Sequence, residues 1–215
     1  MLLCMLCHLP PPPKTVCIDP GHPSEVGVGT KGKTLTELHA NWTIAIRLRD
    51  LLKKGGYRVV MTESHEGEFV RNRRRAEIAN GAKADLMVRL HCDASSKPGF
   101  AVYFPDRQGK SEGRTGPSSD VLRRTAPLAL RFHKALAAGL LGKLADQGLQ
   151  SDINTAVGSK QGALTGSIFS EVPVVLVEMA TITLAHDEAF MLSSQGQKTM
   201  AESLAAGVKA ALDGS

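Results

Sequence analysis

Thr15-Val-Cys-Ile-Asp-Pro-Gly-His22 opens the part of the chain that decides the fold. A short apolar run halts at a Pro-Gly turn, the mark of a buried strand. A periodic segment follows from about Leu35 to Lys54. Leu38, Trp42, Ala45, Leu48 and Leu52 recur there at spacings of three and four, with charged residues between them, so a helix is expected. Gly55-Gly56 stops it. The strand-helix alternation continues outward. Strands are expected at Tyr57–Met61, Leu86–His91, Phe100–Phe104 and Val172–Glu178. Helices are expected at Phe69–Ala82, from a cap near Thr125 with Pro127 in the first turn to about Asp146, and at Gln197–Leu212. Residues 106–120 and 148–170 lack periodicity and read as loops. Alternating strands and helices imply an α/β fold: a single three-layer α/β/α domain with helices on both faces of a largely parallel, twisted sheet.

The whole-chain numbers agree. The 215 residues are 42% hydrophobic and 22% charged, which is globular and leaves disorder, collagen and coiled coil aside. No apolar run reaches the ~20 residues that span a bilayer, so no integral membrane segment is expected. Lys and Arg exceed Asp and Glu by 26 to 21, a net +5 that favours anionic partners. Aromatic residues are 4% of the chain and are not interleaved with the basic ones, which argues against nucleic acid. Arg71, Arg73, Arg74 and Arg75 read mainly as a solvated helix face, with Arg75 open to a structural role.

Residues 1–14 read as an apolar, Pro-rich arm or signal remnant, and 15–215 as the folded unit. Cys4-x-x-Cys7-His8 matches a haem-attachment pattern but lies outside any expected helical domain. Cys17 and Cys92 are expected as small buried hydrophobes rather than a disulfide pair.

Polar groups in such sheets do their chemistry at the carboxyl ends of strands. Asp19 to His22 follow the first strand, His91-Cys-Asp93 ends another, and Glu178 ends the most apolar one. Glu37 sits in the first turn of the first long helix, on one face with Asn41, Ile44 and Leu48. Two imidazoles and a carboxylate are a common ligand set for catalytic zinc, and a further carboxylate can take a proton from water. Metal-assisted hydrolysis is the reaction class these residues suggest.

Four motifs, Ile18-Asp-Pro-Gly-His22, Glu37-x-x-x-Asn41, Ala84-Asp-Leu-Met-Val-Arg-Leu-His91-Cys-Asp-Ala94 and Val172-Pro-Val-Val-Leu-Val-Glu178-Met, occur in this order. Together they resemble the zinc-dependent N-acetylmuramoyl-L-alanine amidases of the amidase-3 family, over about residues 15 to 212. The resemblance implies a phosphorylase/hydrolase-like α/β catalytic domain with Zn2+ on His22, Glu37 and His91 and with Glu178 as catalytic base. It implies cleavage of the amide between the lactyl group of N-acetylmuramic acid and the L-alanine of the stem peptide. The partner is then peptidoglycan, with anionic wall polymers attracted electrostatically. Action in the cell envelope, as an autolysin or a phage lysin, and a monomeric state are expected. Pro23-Ser24, Cys92 and Met179-Ala-Thr-Ile-Thr-Leu184 depart from the usual family pattern around the motifs.

Two other readings compete. Gly27-Val-Gly-Thr-Lys-Gly32-Lys33-Thr34 fits the phosphate-binding G-x-x-x-x-G-K-[ST] pattern before a helix, which would make an NTPase. Pro20 to Val26 separate it from the strand it should spring from. A non-catalytic wall-binding module is the other alternative, and the apparent ligands and base count against it.

Overall fold

The computed structural model describes residues 12–214, so the N-terminal Cys-x-x-Cys-His pattern and most of the expected arm lie outside the described residues. The strands are β1 (Thr15–Pro20), β2 (Arg58–Met61), β3 (Leu86–Asp93), β4 (Phe100–Phe104), β5 (Gly109–Ser111), β6 (Arg114–Gly116), β7 (Asp146–Ser151) and β8 (Val174–Thr181). The helices are α1 (Glu37–Lys54), α2 (Asn72–Gly81), α3 (Ser119–Leu140), α4 (Gly158–Gln161), α5 (Thr165–Ile168), α6 (Ala185–Leu192) and α7 (Ser194–Asp213).

Six strands form one sheet in the order β2-β1-β3-β8-β4-β7. Every neighbouring pair is parallel except β4 and β8. The central strands are covered on both sides, and each residue of β1 is buried, whereas the edge strands β2 and β7 are partly exposed. Alternation sorts the side chains. Val16, Ile18, Val88, Leu90, Val175 and Val177 face the main core, which α1, α3 and α7 close with Ile44, Leu48, Phe132, Leu136, Leu204 and Val208. Cys17, Met87 and Val174 face the other way, against Ala79 of α2. Ala76 of α2 packs there with Ile168 of α5 and Phe169. The α/β layering follows the sequence reading.

Several boundaries differ from it. Helix α1 starts at Glu37, because Thr36 accepts a hydrogen bond from the His39 amide and caps it there. Helix α3 starts six residues before the expected Thr125 cap. Ser118 is its cap, the Thr125 hydroxyl donates back to Val121 O instead, and Pro127 lies inside the helix. Burial of Val121, Thr125, Ala129, Phe132, Leu136 and Leu140 on one face outweighs the lost proline hydrogen bond. The helix ends at Leu140, short of Asp146. Helix α2 is shorter than expected. Strand β8 begins after Pro173, which has no amide to donate to a ladder, and runs on to Thr181. The region expected as a loop at 106–120 contains the β5–β6 hairpin, and 148–170 holds the end of β7, a 3-10 turn at Asp152–Asn154 and two one-turn α-helices. The final helical region begins at Ala185, as α6 followed by α7.

Arg75 takes the structural role left open for it. It does not solvate the face of α2: it is 0% exposed. Its guanidinium donates to Asp19 at 2.5 Å and lies 2.6 Å from Glu63. Cys17 and Cys92 are free and buried, as expected.

Candidate metal centre

The site lies at the carboxyl ends of β1, β3 and β8. Past β1 the chain turns sharply, with Gly21 N bonded to Leu90 O and His22 at a φ of +67°. A non-glycine residue in that region is uncommon and strained, by about 1–2 kcal/mol. His22 Nδ1 lies 3.1 Å from Gly27 O. Gly21 has to be a glycine, because a Cβ there would come within 2.3 Å of the His91 ring.

Glu37 is aimed by the cap of α1. Its Oε1 lies 3.0 Å from His91 Nδ1 and 3.3 Å from His22 Nε2, and accepts the Cys92 amide at 3.1 Å. Its Oε2 accepts the Thr30 amide at 2.7 Å. One turn along α1, Asn41 donates to Gly21 O and ties helix to turn. The two imidazoles meet edge to face, 5.0 Å between centroids. One ligand atom from each of His22, Glu37 and His91 falls within 4.8 Å of the others. Among the described residues, no other cluster of His, Cys or carboxylate side chains meets that spacing. His91 Nε2 is buried with no hydrogen-bond partner.

Glu178 stands beside this cluster, because its strand pairs with β3 in the register His91 to Glu178. Its Oε2 is buried and has no partner. Burial pushes its carboxyl well above the usual range, and the charges of Glu37 and Asp93 push the same way. For Glu37 burial acts upward too, but hydrogen bonds from His22 and His91 outweigh it and hold the carboxyl well below the usual range. Burial lowers His91 despite Glu37. At His22 the hydrogen bond to Glu37 overcomes burial and raises the imidazole. The four residues singled out in the sequence are thus brought together: His22, Glu37 and His91 form a cluster of possible ligand atoms, and the half-buried Glu178 stands beside it with one buried, unpartnered oxygen.

Asp19 and Asp93 do not join them. Asp19 lies beneath, accepting Thr62, Arg75 and Arg89. Asp93 accepts the amides of Ala94 and Ser95 at the rim. The Gly27–Thr34 segment holds no open phosphate cradle. Its Thr30 amide serves Glu37, and the Thr34 amide, with that of Leu35, serves Glu188. Arg89 and Tyr103, which line the cleft, were not singled out in the sequence. The available signal was a charged residue alternating with Leu, Val and Leu in β3. The cleft consists of two cavities, of about 320 and 480 Å³, that share Glu178, Thr155 and Ala156. A shallower depression of about 800 Å³ lies at the amino ends of the strands, around Lys14, Asp85 and Pro173, away from this chemistry.

The model of the Amidase_3 family, described as N-acetylmuramoyl-L-alanine amidase, matches residues 16–210. The chain belongs to this family. It is 29% identical over 230 residues to N-acetylmuramoyl-L-alanine amidase AmiC of Escherichia coli, covering 92% of this chain and 52% of that protein. Identity to N-acetylmuramoyl-L-alanine amidase LytC of Bacillus subtilis is also 29%, over 177 residues, 81% of this chain and 30% of that protein. The chain thus spans about half of AmiC and under a third of LytC. The fold superposes on N-acetylmuramyl-L-alanine amidase Ami1 of Mycobacterium smegmatis with a TM-score of 0.76 at 22% identity, covering 94% of this chain and 98% of that one. For N-acetylmuramoyl-L-alanine amidase AmiC2 of Nostoc punctiforme the TM-score is 0.74 at 23% identity, over 93% and 97%. Membership in the amidase family fits neither the NTPase nor the wall-binding-module alternative.

Proposed function

We propose that this protein hydrolyses the amide between the lactyl group of N-acetylmuramic acid and the L-alanine of the peptidoglycan stem, with zinc held by His22, Glu37 and His91 and Glu178 as the base. One observation carries the proposal: in a chain of this family, two imidazoles and a carboxylate converge within 4.8 Å beside a second carboxyl, that of Glu178, whose Oε2 is buried and unpartnered. The donors suit zinc, since nitrogen and oxygen ligands in a set of three are the common catalytic arrangement. The buried His91 Nε2 without a protein partner is what a ligand position looks like when only the protein is considered. Bound there, zinc would supply Lewis-acid chemistry, acidifying a water and polarising the lactyl carbonyl.

The remaining work belongs to the chain. Glu178 takes a proton from the attacking water as the new C–O bond forms. It returns that proton to the alanine nitrogen as the C–N bond breaks. Its burial raises its proton affinity, so it can hold the proton between the two steps. The Glu37 carboxylate stays ionised among its hydrogen-bond donors and keeps both imidazoles oriented.

Residues 15–215 are proposed as one catalytic unit, with 1–14 as an arm, a division that the family match over 16–210 supports. Action is proposed in the cell envelope, where the net charge of +5 draws the protein to anionic wall polymers. No helix among the described residues is long and apolar enough to cross a membrane. The test is digestion of purified peptidoglycan by the zinc-loaded protein, with and without chelator, followed by mass analysis. New L-alanine amino termini and peptide-free muramic acid in uncut glycan chains are expected, and the chelator should abolish the release of both. Glycan-chain or cross-bridge cleavage, or undiminished activity in chelator, refutes the proposal.

A further inference from the structure

One row beneath His91 and Glu178, the sheet presents a second line of side chains to the cleft. The register places Asp19 beside Arg89, Arg89 beside Leu176 and Leu176 beside Tyr103. Arg89 is 3% exposed, yet it lines the smaller cavity together with His22, His91 and Glu178. Its Nε donates to Asp19 Oδ2 at 2.8 Å and its Nη2 to Asn72 Oδ1 at 2.5 Å. Those bonds fix the plane of the guanidinium. Nη1 has no hydrogen bond to any described residue. Gly166 leaves it room, for a Cβ there would sit 2.6 Å from Nη1.

No carboxylate among the described residues hydrogen-bonds that donor, although the Arg89 charge reaches both Asp152 and Glu178. Asp19 is already shared with Arg75 and Thr62. Asp152, from the facing segment, gives Oδ2 to the Leu164 amide, and its Oδ1 has no partner, Arg89 included. A buried, rigidly held guanidinium with an unused donor beside the reacting groups is suited to receive an anion.

A muramyl peptide carries its charge on one side of the scissile amide. The sugar is neutral, whereas the peptide bears a carboxylate one residue beyond the alanine when that residue is D-glutamate. We propose that Arg89 recognises this carboxylate and so seats the peptide arm in the smaller cavity; the inference rests on the amidase reading above. The larger cavity, across Thr155 and Ala156, offers Tyr103, Gln147, Gln150 and Asn154, with Lys97 offset by Asp93. Amides and an aromatic ring of this kind suit the hydroxylated sugar.

The test uses two soluble substrates, N-acetylmuramoyl-L-alanyl-D-glutamate and its D-isoglutamine counterpart, in which that carboxylate is a carboxamide. The zinc-loaded wild type should favour the acid in kcat/KM by about ten- to a hundred-fold, the worth of a charged hydrogen bond, mostly through KM. Arg89→Gln should bring the ratio of acid to amide down to about one, and Arg89→Lys should restore part of it. A structural role alone would lower both substrates equally and leave the ratio unchanged. Equal use of the two by wild type, or an unchanged ratio in Arg89→Gln, overturns this inference while leaving the amidase reading in place. The wild-type comparison stands even if Arg89→Gln does not fold. Cleavage of neither substrate, with peptidoglycan also untouched, overturns both.

Discussion

Asp19→Asn is the most informative change outside the reacting groups. The carboxylate is 0% exposed and accepts Thr62 Oγ1 at 2.7 Å, Arg75 Nη1 at 2.5 Å and Arg89 Nε at 2.8 Å. Arg75 keeps Glu63 as a second counter-ion, but Arg89 has only neutral Asn72 besides. Asparagine retains the shape, removes the charge and turns an amide N–H₂ towards a guanidinium. Breaking one side of a buried ion pair costs about 3–5 kcal/mol. At ~2–4 °C per kcal/mol for a chain of this size, the melting temperature should fall by about 6–20 °C. Scanning calorimetry on wild type and variant, both metal-free, reads this directly. The pH dependence supplies a second check. The two guanidiniums hold the Asp19 carboxyl below its ordinary range despite its burial. Its stabilisation is therefore present above an unfolded pKa of ~3.9 and is lost as pH falls through the lower folded value. The gap between wild type and variant should accordingly be full at pH 6 and shrink below pH 4. A melting-temperature difference under about 2 °C at pH 6, or a gap that widens in acid, would show that the buried network does not hold the base of the site.

Glu178→Gln should retain stoichiometric zinc by elemental analysis yet lose about 10²–10⁴-fold in kcat; wild-type turnover would remove Glu178 from the base role. Gly21→Ala drives a methyl group into the His91 ring at 2.3 Å, so zinc affinity by chelator competition should fall at least tenfold, and unchanged affinity would contradict the packing. Binding of the intact protein to wall material should weaken between 0.1 and 1 M salt, as the screening length shrinks from about 10 to 3 Å, whereas salt-independent sedimentation with walls would rule out electrostatic capture.

Much of this arrangement was legible in the amino acids because each local signal agreed with the burial it required. Val174 to Val177 is apolar on both faces and became a strand covered on both sides. His22, Glu37, His91 and Glu178 stand out because a polar group ending an apolar strand, or opening a helix, has few reasons to be there. The misread parts are those where tertiary packing decided. Helix α3 carries a proline in its interior because its buried stripe against α7 outweighs one missing hydrogen bond. Arg75 lies among neighbours that look equally basic; a structural role was open to it, but its partners Asp19 and Glu63 are supplied only by the fold. Arg89 was equally opaque. Its partners Asp19 and Asn72 are 70 and 17 residues away in the chain, a distance no periodicity reports.

The order of the catalytic pieces along the chain bears on biosynthesis. The three proposed metal ligands all lie by residue 91, and the proposed base follows only at residue 178, on the strand that wedges between β3 and β4. At ~5–20 residues per second, a ribosome needs roughly 4–17 s to cross that interval. Under the proposed mechanism, the emerging polypeptide would hold its three metal-binding donors during that interval without the base, so the capacity to cut would arise only late in translation.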